Sequence, residues 1–267
     1  MPPMSSVYVV ADLHGAHDDL RKAVGEGATL LLLGDLINFL DYTTMSGILT
    51  EVFSVEAVAE VVRLRTAGRI TEARNIMHRR AHGREDEIRS EIARRVMSQY
   101  ETVFAALPHP TYFICGNVDQ PRAASAFDAQ TPATTNADGR VIDFDGERIA
   151  FVGGALPTPL HAAGEISEDE MRAKVEGLGE ADVLCSHVPP AVPELCYDTL
   201  ADKHERGSKD LLDYIRDVQP RRAYFGHVHQ PLVSSIHVGD TWCVNVGYFR
   251  ATKRAFPHRR DAKQGGR

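Results

Sequence analysis

The chain has 267 residues, 43% apolar and 25% charged, ordinary globular values that allow one large α/β domain or two small ones. A formal charge of −7 excludes a chain built throughout to coat nucleic acid or an anionic membrane. No apolar stretch approaches the length of a membrane span.

Met1-Pro2-Pro3-Met4-Ser5-Ser6 has no basic segment followed by a long apolar run, so no signal peptide is expected. The four cysteines, Cys115, Cys185, Cys196 and Cys243, show no CxxC spacing. Cys115 and Cys185 sit inside strand-like apolar runs, where buried free thiols are the usual outcome. A reduced, cytoplasmic protein is expected.

In chain order, Val7 to Ala11 is a short β-prone run that ends in Asp12-Leu13-His14-Gly15. Asp18 to Val24 reads as a helix with its acids in the first turn. Thr29 to Leu33 is apolar on both faces, as a buried parallel strand should be, and ends at Gly34-Asp35. Tyr112 to Cys115 leads to Gly116-Asn117-Val118-Asp119, and Arg148 to Val152 leads only to Gly153-Gly154. Asp182 to Ser186 leads to His187. Ala223-Tyr224-Phe225 ends at Gly226 and delivers His227 and His229, which point to the same side of an extended segment. Two more β-like runs, Ser234 to Val238 and Trp242 to Val246, follow. Strands alternating with helical patterns predict an α/β sheet, and such sheets gather ligands at the carboxyl ends of their strands.

The connection between Asp35 and Gly116 is too long for a plain loop. Glu51 to Arg65, Ile70 to Arg80 and Glu85 to Leu107 carry helical periodicity, which predicts an insert of two or three helices at about 45–107. From Arg250 the chain is rich in lysine and arginine (Lys253, Arg254, Arg259, Arg260, Lys263, Arg267), and a flexible tail over 250–267 is expected. Asp145-Gly146 fits a hairpin turn, and Ser208 fits the N-cap of a helix through Ile215. Pro189-Pro190 should stiffen the loop after His187. His17, His78, His82, His109, His161, His204, His237 and His258 read as surface or loop residues, with His161 and His204 the two whose loops could reach a site.

The collected candidates are Asp12, His14, Asp35, Asn117, His187, His227 and His229. Mixed carboxylate and imidazole suits Mn, Fe or Zn better than Ca or a thiolate site. Seven donors are too many for one ion and fit two that share a bridging carboxylate. Two ions roughly 3.5–4 Å apart clamp a phosphate's oxygens and turn a bridging water into hydroxide near neutral pH, the machinery of phosphoester hydrolysis.

In the order of these motifs, Asp12-Leu13-His14, Gly34-Asp35, Gly116-Asn117-Val118-Asp119, Ser186-His187 and Gly226-His227-Val228-His229, the chain resembles the calcineurin-like metallophosphoesterase superfamily over residues 7–249, the helical insert apart. The resemblance implies a four-layer α-β-β-α sandwich with two mixed central sheets. It also implies that Asp12, His14, Asp35 and His229 bind a first metal, that Asp35 bridges, and that Asn117, His187 and His227 complete the second site. Asp119 is expected to orient a ligand by hydrogen bonding.

Two departures from the superfamily's pattern bear on function. Most members carry His after the Asn, as the general acid or transition-state stabiliser, whereas this chain has Val118. The Arg-Gly pair that follows the Gly-Asp motif in serine/threonine protein phosphatases is absent after Gly34-Asp35-Leu36-Ile37-Asn38, which points to the phosphodiesterase-like branch. The expected function is dinuclear, metal-dependent hydrolysis of a small-molecule phosphoester, a diester favoured, by a metal-bridging hydroxide, with Asp35, Asn117 and His187 catalytic. The competing readings are a phosphomonoesterase, a noncatalytic scaffold on the same fold, and, less supported by the acidic charge, a nuclease. No membrane partner is expected, nucleic acid is disfavoured, and the insert offers a surface for a homodimer.

Overall fold

The structure, a computed structural model, describes residues 6–108, 110–159 and 161–259. Residues 1–5, His109 and the basic tail residues Arg260, Lys263 and Arg267 lie outside the described residues.

The first half runs β1 (Val7–Val10), α1 (His17–Val24), β2 (Thr29–Leu33), α2 (Ile48–Phe53), α3 (Val55–Thr66), α4 (Ile70–Ala81), α5 (Glu85–Ala106), β3 (Thr111–Ile114), α6 (Pro121–Asp128) and β4 (Thr134–Asn136). The second half runs β5 (Arg140–Phe144), β6 (Glu147–Val152), α7 (Glu168–Glu176), β7 (Val183–Ser186), α8 (Pro193–Cys196), β8 (Tyr197–Asp198) and β9 (Lys203–His204). It closes with α9 (Lys209–Val218), β10 (Arg222–Phe225), β11 (Ser235–Val238), β12 (Thr241–Asn245), α10 (Phe249–Thr252) and β13 (Phe256–His258).

One sheet has the order β13-β1-β2-β3-β4 and the other β11-β12-β10-β7-β6-β5. Each has a parallel interior and an antiparallel edge: β13 against β1 in the first, β11 and β5 in the second. Alternation along the strands divides the core into layers. Val7, Val9, Leu31, Leu33 and Ile114 face Ile149, Phe151, Val183, Cys185 and Tyr224 between the sheets. Leu30, Leu32 and Phe113 face outward onto Leu20 of α1 and onto Val96, Tyr100, Val103 and Phe104 of α5. Ala150, Leu184 and Phe225 face outward onto Met171 of α7 and Leu211 and Ile215 of α9. The result is the expected four-layer α-β-β-α sandwich.

Local signals behave as the sequence predicts at two turns. Asp145 and Gly146 both have positive φ, 51° and 81°, between paired Phe144 and Glu147, as a two-residue type I′ hairpin requires. The Ser208 hydroxyl accepts from the Leu211 N–H at 3.2 Å and caps α9.

Three expectations need correction. The long connection holds four helices, because Ser54 takes φ 76° and splits Glu51–Arg65 into α2 and α3. Its parts also differ in kind: α3 and α4 meet in a small cluster of their own, Val61, Leu64 and Ala73 with Ile76 and Met77, whereas α5 is a structural layer of the first sheet. Secondly, the start of the basic tail is folded. Phe249–Thr252 is helical, and Phe256–His258 pairs with Val7–Val9 as an edge strand, where Pro257 is tolerated. Thirdly, His258 is 7% exposed, with Nδ1 3.1 Å from the Tyr224 hydroxyl and Nε2 2.9 Å from Glu147 Oε2, so it bonds β13 to the second sheet. Among the described residues no helix is long and apolar enough to cross a membrane.

Candidate metal centre

Every candidate residue leaves the sheets at the carboxyl end of a strand: Asp12 and His14 after β1, Asp35 after β2, Asn117 after β3, His187 after β7, and His227 and His229 after β10. The two sheets put these ends side by side. Asp12 crosses the seam, its carboxylate accepting the His227 N–H at 3.1 and 2.9 Å. Asp12, His14, Asp35 and His187 are each at most 2% exposed, while Asn117, His227 and His229 line a cleft.

The backbone is bent to bring these groups together. Asp12, His14, Asp35 and His227 adopt φ of 54°, 41°, 49° and 68°, the left-handed region. Such a conformation costs on the order of 1–3 kcal/mol per residue and concentrates at functional sites. Glycine is required at two approaches: a Cβ at Gly34 would lie 2.5 Å from His187 Nδ1, and one at Gly116 would collide with Asp35 Oδ1.

Donor atoms of Asp12, His14 and His229 lie within 4.8 Å of one another, as do those of Asp12, Asp35 and His187. Asp12 thus belongs to both groups, although the resemblance assigns the bridge to Asp35. Asp35 Oδ2 is nevertheless 3.5 Å from His14 Nε2, within reach of the first group, and its Oδ1 is 3.7 Å from His187 Nε2. Asn117 Oδ1 joins the second group from the cleft side, 3.0 Å from His187 Nε2 and 3.0 Å from His227 Nδ1. All seven residues named from the sequence therefore converge on one place.

The hydrogen bonding fits a cation. The Leu33 carbonyl can only accept, so at 2.9 Å it fixes the proton of His187 on Nδ1. Nε2 then turns a lone pair toward the cleft, beside the Asn117 amide at 3.0 Å and the Asp35 carboxyl at 3.7 Å. Both ring nitrogens of His14 are buried without a hydrogen-bond partner among the described residues, an arrangement that native proteins rarely leave unexplained. Burial pushes the Asp35 carboxyl up to about 7. Burial, then the neighbouring Asp35 charge, pushes Asp12 well above the usual carboxylate range. Burial also pushes His187 down to about 4 and holds His14 and His227 well below the ordinary imidazole value, as neutral donors.

A surrounding shell orients these groups. Asp119 accepts from the N–H groups of Leu36 at 3.0 Å and Gly116 at 2.8 Å and from the Tyr100 hydroxyl at 3.2 Å, tying the Asp35 and Asn117 loops to α5. Periodicity could not reveal the rest. Tyr248 stacks flat on His229 with ring centroids 3.9 Å apart, and its hydroxyl donates to Asp41 at 2.6 Å. Burial works against ionisation of Asp41, yet bonds from Tyr248, Thr44 and the Thr43 N–H hold its carboxyl down at about 2. Arg250 donates to the His14 carbonyl and lies 3.4 Å from Asp41. Tyr248 had a usable signal, since Gly247-Tyr248 follows an apolar run as Gly34-Asp35 and Gly226-His227 do.

A cavity of about 510 Å³ opens over the centre, within the range of small-molecule sites. Its floor is His14, Asp35, Asn117, His227 and His229; its walls include Tyr42, Val62 and Thr66 of α3, and residues of the 198–205 segment. Neither His161 nor His204 is among the lining residues.

The structure of TT1561 of Thermus thermophilus shares this fold, with a TM-score of 0.52 at 14% identity over 96% of this chain and 99% of that chain. No curated protein sequence matches the chain. The family model for calcineurin-like phosphoesterases matches residues 5–231, which hold all seven candidate ligands, and the chain belongs to that family.

Proposed function

We propose that the chain hydrolyses a small-molecule phosphoester, a diester in preference to a monoester, with two divalent or mixed-valence ions of Mn, Fe or Zn. Asp12, His14, Asp35 and His229 would hold one ion and Asp35, Asn117, His187 and His227 the other. The observation that supports this most is the convergence of donor atoms, His187 Nε2 with Asn117 Oδ1 at 3.0 Å, beside a His14 ring whose nitrogens have no hydrogen-bond partner among the described residues. When bound, such ions lower the pKa of a shared water towards neutrality and neutralise charge on the phosphoryl oxygens.

The chain's own contribution is orientation. The Val118 N–H donates to Asp35 Oδ1 at 3.0 Å and fixes that carboxylate's rotamer. The Leu33 carbonyl fixes the tautomer of His187, and the Tyr248 ring fixes the plane of His229. Metal analysis of the purified protein, with a panel of phosphate mono- and diesters, tests the reading. Bound metal and turnover of a diester are expected; a metal-free protein inactive on the whole panel after incubation with Mn²⁺ or Zn²⁺ would end it.

Two further results are expected. At pH 6 an Asp35 carboxyl with a pKa of about 7 is mostly protonated, and a metal ligand must be ionised. Adding Mn²⁺ to chelator-treated protein at pH 6 should therefore release protons, and release less at pH 8. Calorimetry in buffers of different ionisation enthalpy measures this; equal or zero release at both values would contradict it. The second result concerns the connection. Replacing residues 55–84 by a short flexible linker removes α3 and α4 with their separate cluster but leaves α5 on its sheet. The variant should keep its metal content while KM changes severalfold, since Val62 and Thr66 leave the cleft wall. Unchanged kinetics and oligomeric state would deny this segment a part in the cleft or in a dimer.

A further inference from the structure

The walls of the cleft differ from its floor. On one side α3 presents Val62, half-buried, and on the other the turn between β8 and β9 presents Leu200, which is 58% exposed. Exposed leucines are common singly, but this one lines the same cavity as Val62, Val118, Ala155 and the Tyr42 ring. The turn is held in place: Asp198 Oδ1 accepts from the Leu200 and Ala201 N–H groups at 2.8 and 3.0 Å, and the Thr199 N–H donates to the Gln230 carbonyl at 2.8 Å, beside His229. Leu200 is thus presented to the cleft by a braced loop.

Charge around the cleft narrows the occupant. Among the described lining residues Lys203 is the one lysine or arginine, and it is paired with Glu205 at 2.8 Å. Glu165 and Asp198 add two more carboxylates. A ligand with several phosphates would bring its outer charges against two acids and a lysine already neutralised by Glu205, whereas a single phosphoryl group can rest at the floor. Among the described lining residues no row of free cations follows the cleft, as an oligonucleotide backbone would need.

We propose that the substrate is a singly charged phosphoester bearing an apolar alkyl or aryl group, and that Val62 and Leu200 grip that group and set specificity. This rests on the phosphoesterase reading above. The phosphoryl end lies over Asp35 and Asn117, and the apolar end lies between α3 and the β8–β9 turn.

The test uses the full chain loaded with Mn²⁺ and two readouts. The first is calorimetric affinity for alkyl(methyl)phosphinates, with the alkyl group from methyl to hexyl, singly charged acids that have no P–O ester bond to cleave. Burial of a CH₂ is worth about a two- to fourfold gain in affinity, so the hexyl compound should bind at least tenfold more tightly than the methyl compound. Leu200→Ser, at an exposed turn where folding is not at risk, and Val62→Thr should each cut that ratio severalfold. The second readout is kcat/KM for the corresponding phosphodiesters, where the same ratio and the same losses are expected. Turnover without a chain-length gain would overturn the substrate class and leave the phosphoesterase reading standing. Absence of turnover together with a chain-length gain in binding would overturn the hydrolase and keep the apolar grip. Absence of both, or tighter binding of ATP or an oligonucleotide than of the hexyl compound, would overturn the proposal outright.

Discussion

Asp35→Asn should abolish metal binding and lower phosphodiester turnover by more than about 100-fold, the upper end of what loss of a group that only orients a ligand costs, while the metal-free protein becomes more stable at pH 8. Both halves follow from the position of one carboxylate. Asparagine at 35 keeps an oxygen for the Val118 N–H, now 3.0 Å from Asp35 Oδ1, so the local fold should survive. It removes the charge that lies near His14 and His187. In the metal-free chain that charge is a burden, because burial raises the folded-state pKa to about 7. An acid with a raised folded pKa favours the protonated native state. Its contribution is fully present below the unfolded pKa of about 4 and is lost as pH rises through the folded value of about 7. A neutral amide escapes that loss, so the melting temperature at pH 8 with chelator should rise, by about 2–4 °C per kcal/mol at this chain length. Asp119→Asn escapes a similar burden, since burial and the Asp35 charge push that carboxyl up to about 7 as well, but it gives up more hydrogen bonds. Its carboxylate accepts from Leu36, Gly116 and Tyr100 at once, and an amide nitrogen turned toward an N–H leaves buried donors unmet, at about 1–3 kcal/mol. Its activity loss should stay within the roughly 10–100-fold usual for a group that orients a ligand. Metal content, activity and melting curves for both variants make the comparison, and two metals with full activity in Asp35→Asn would remove the dinuclear assignment.

The candidate ligands were legible because they sit at the ends of five apolar strands, a local pattern that composition and periodicity expose. The sheets were legible for the same reason: Thr29–Leu33 is apolar on both faces because helices cover one side and the second sheet the other. What escaped was set by distant partners. Phe256-Pro257-His258 reads as part of a basic tail, and becomes a strand only by pairing with Tyr8 and its neighbours at the far end of the chain. The β8–β9 pair is two residues per strand, too short for any period to show, yet its turn brings Leu200 to the cleft. Ser54 breaks a helix at φ 76° where no glycine or proline marks the break. Asp41 is distant in sequence from Tyr248 and Arg250, and the three acquire meaning only where they meet behind His14 and His229. Local pattern thus located the donors, and tertiary contact located the groups that aim them.

The largest consequence of the departure at Val118 should appear in the dependence of rate on the leaving group. Proton donation to a departing oxygen contributes roughly 10²–10⁴-fold and matters most when that oxygen is a poor anion. Val118 cannot donate; its side chain is 3% exposed at the cleft, and its N–H is committed to Asp35. His161 and His204, the two histidines whose loops could have supplied a donor, do not line the cleft. The rate should therefore fall steeply as leaving-group basicity rises across aryl and then alkyl diesters, and Val118→His should restore alkyl esters more than aryl ones. One lining group could soften the slope. Tyr42 shares the cavity with Asp35, Asn117 and Val118, and burial raises its hydroxyl above the ordinary phenol value, so it stays protonated through neutral pH. A phenol that remains protonated can still donate to an alkoxide, which is more basic. Tyr42→Phe separates the cases. If the cleft lacks a donor, the variant leaves the steep slope as it was. If Tyr42 donates, the native slope is shallow and the phenylalanine variant steepens it, with alkyl esters losing about 10²-fold or more and aryl esters little. A shallow slope in both native protein and Tyr42→Phe would overturn the assignment of position 118 as the missing acid, because neither group would then control the departure of the leaving oxygen.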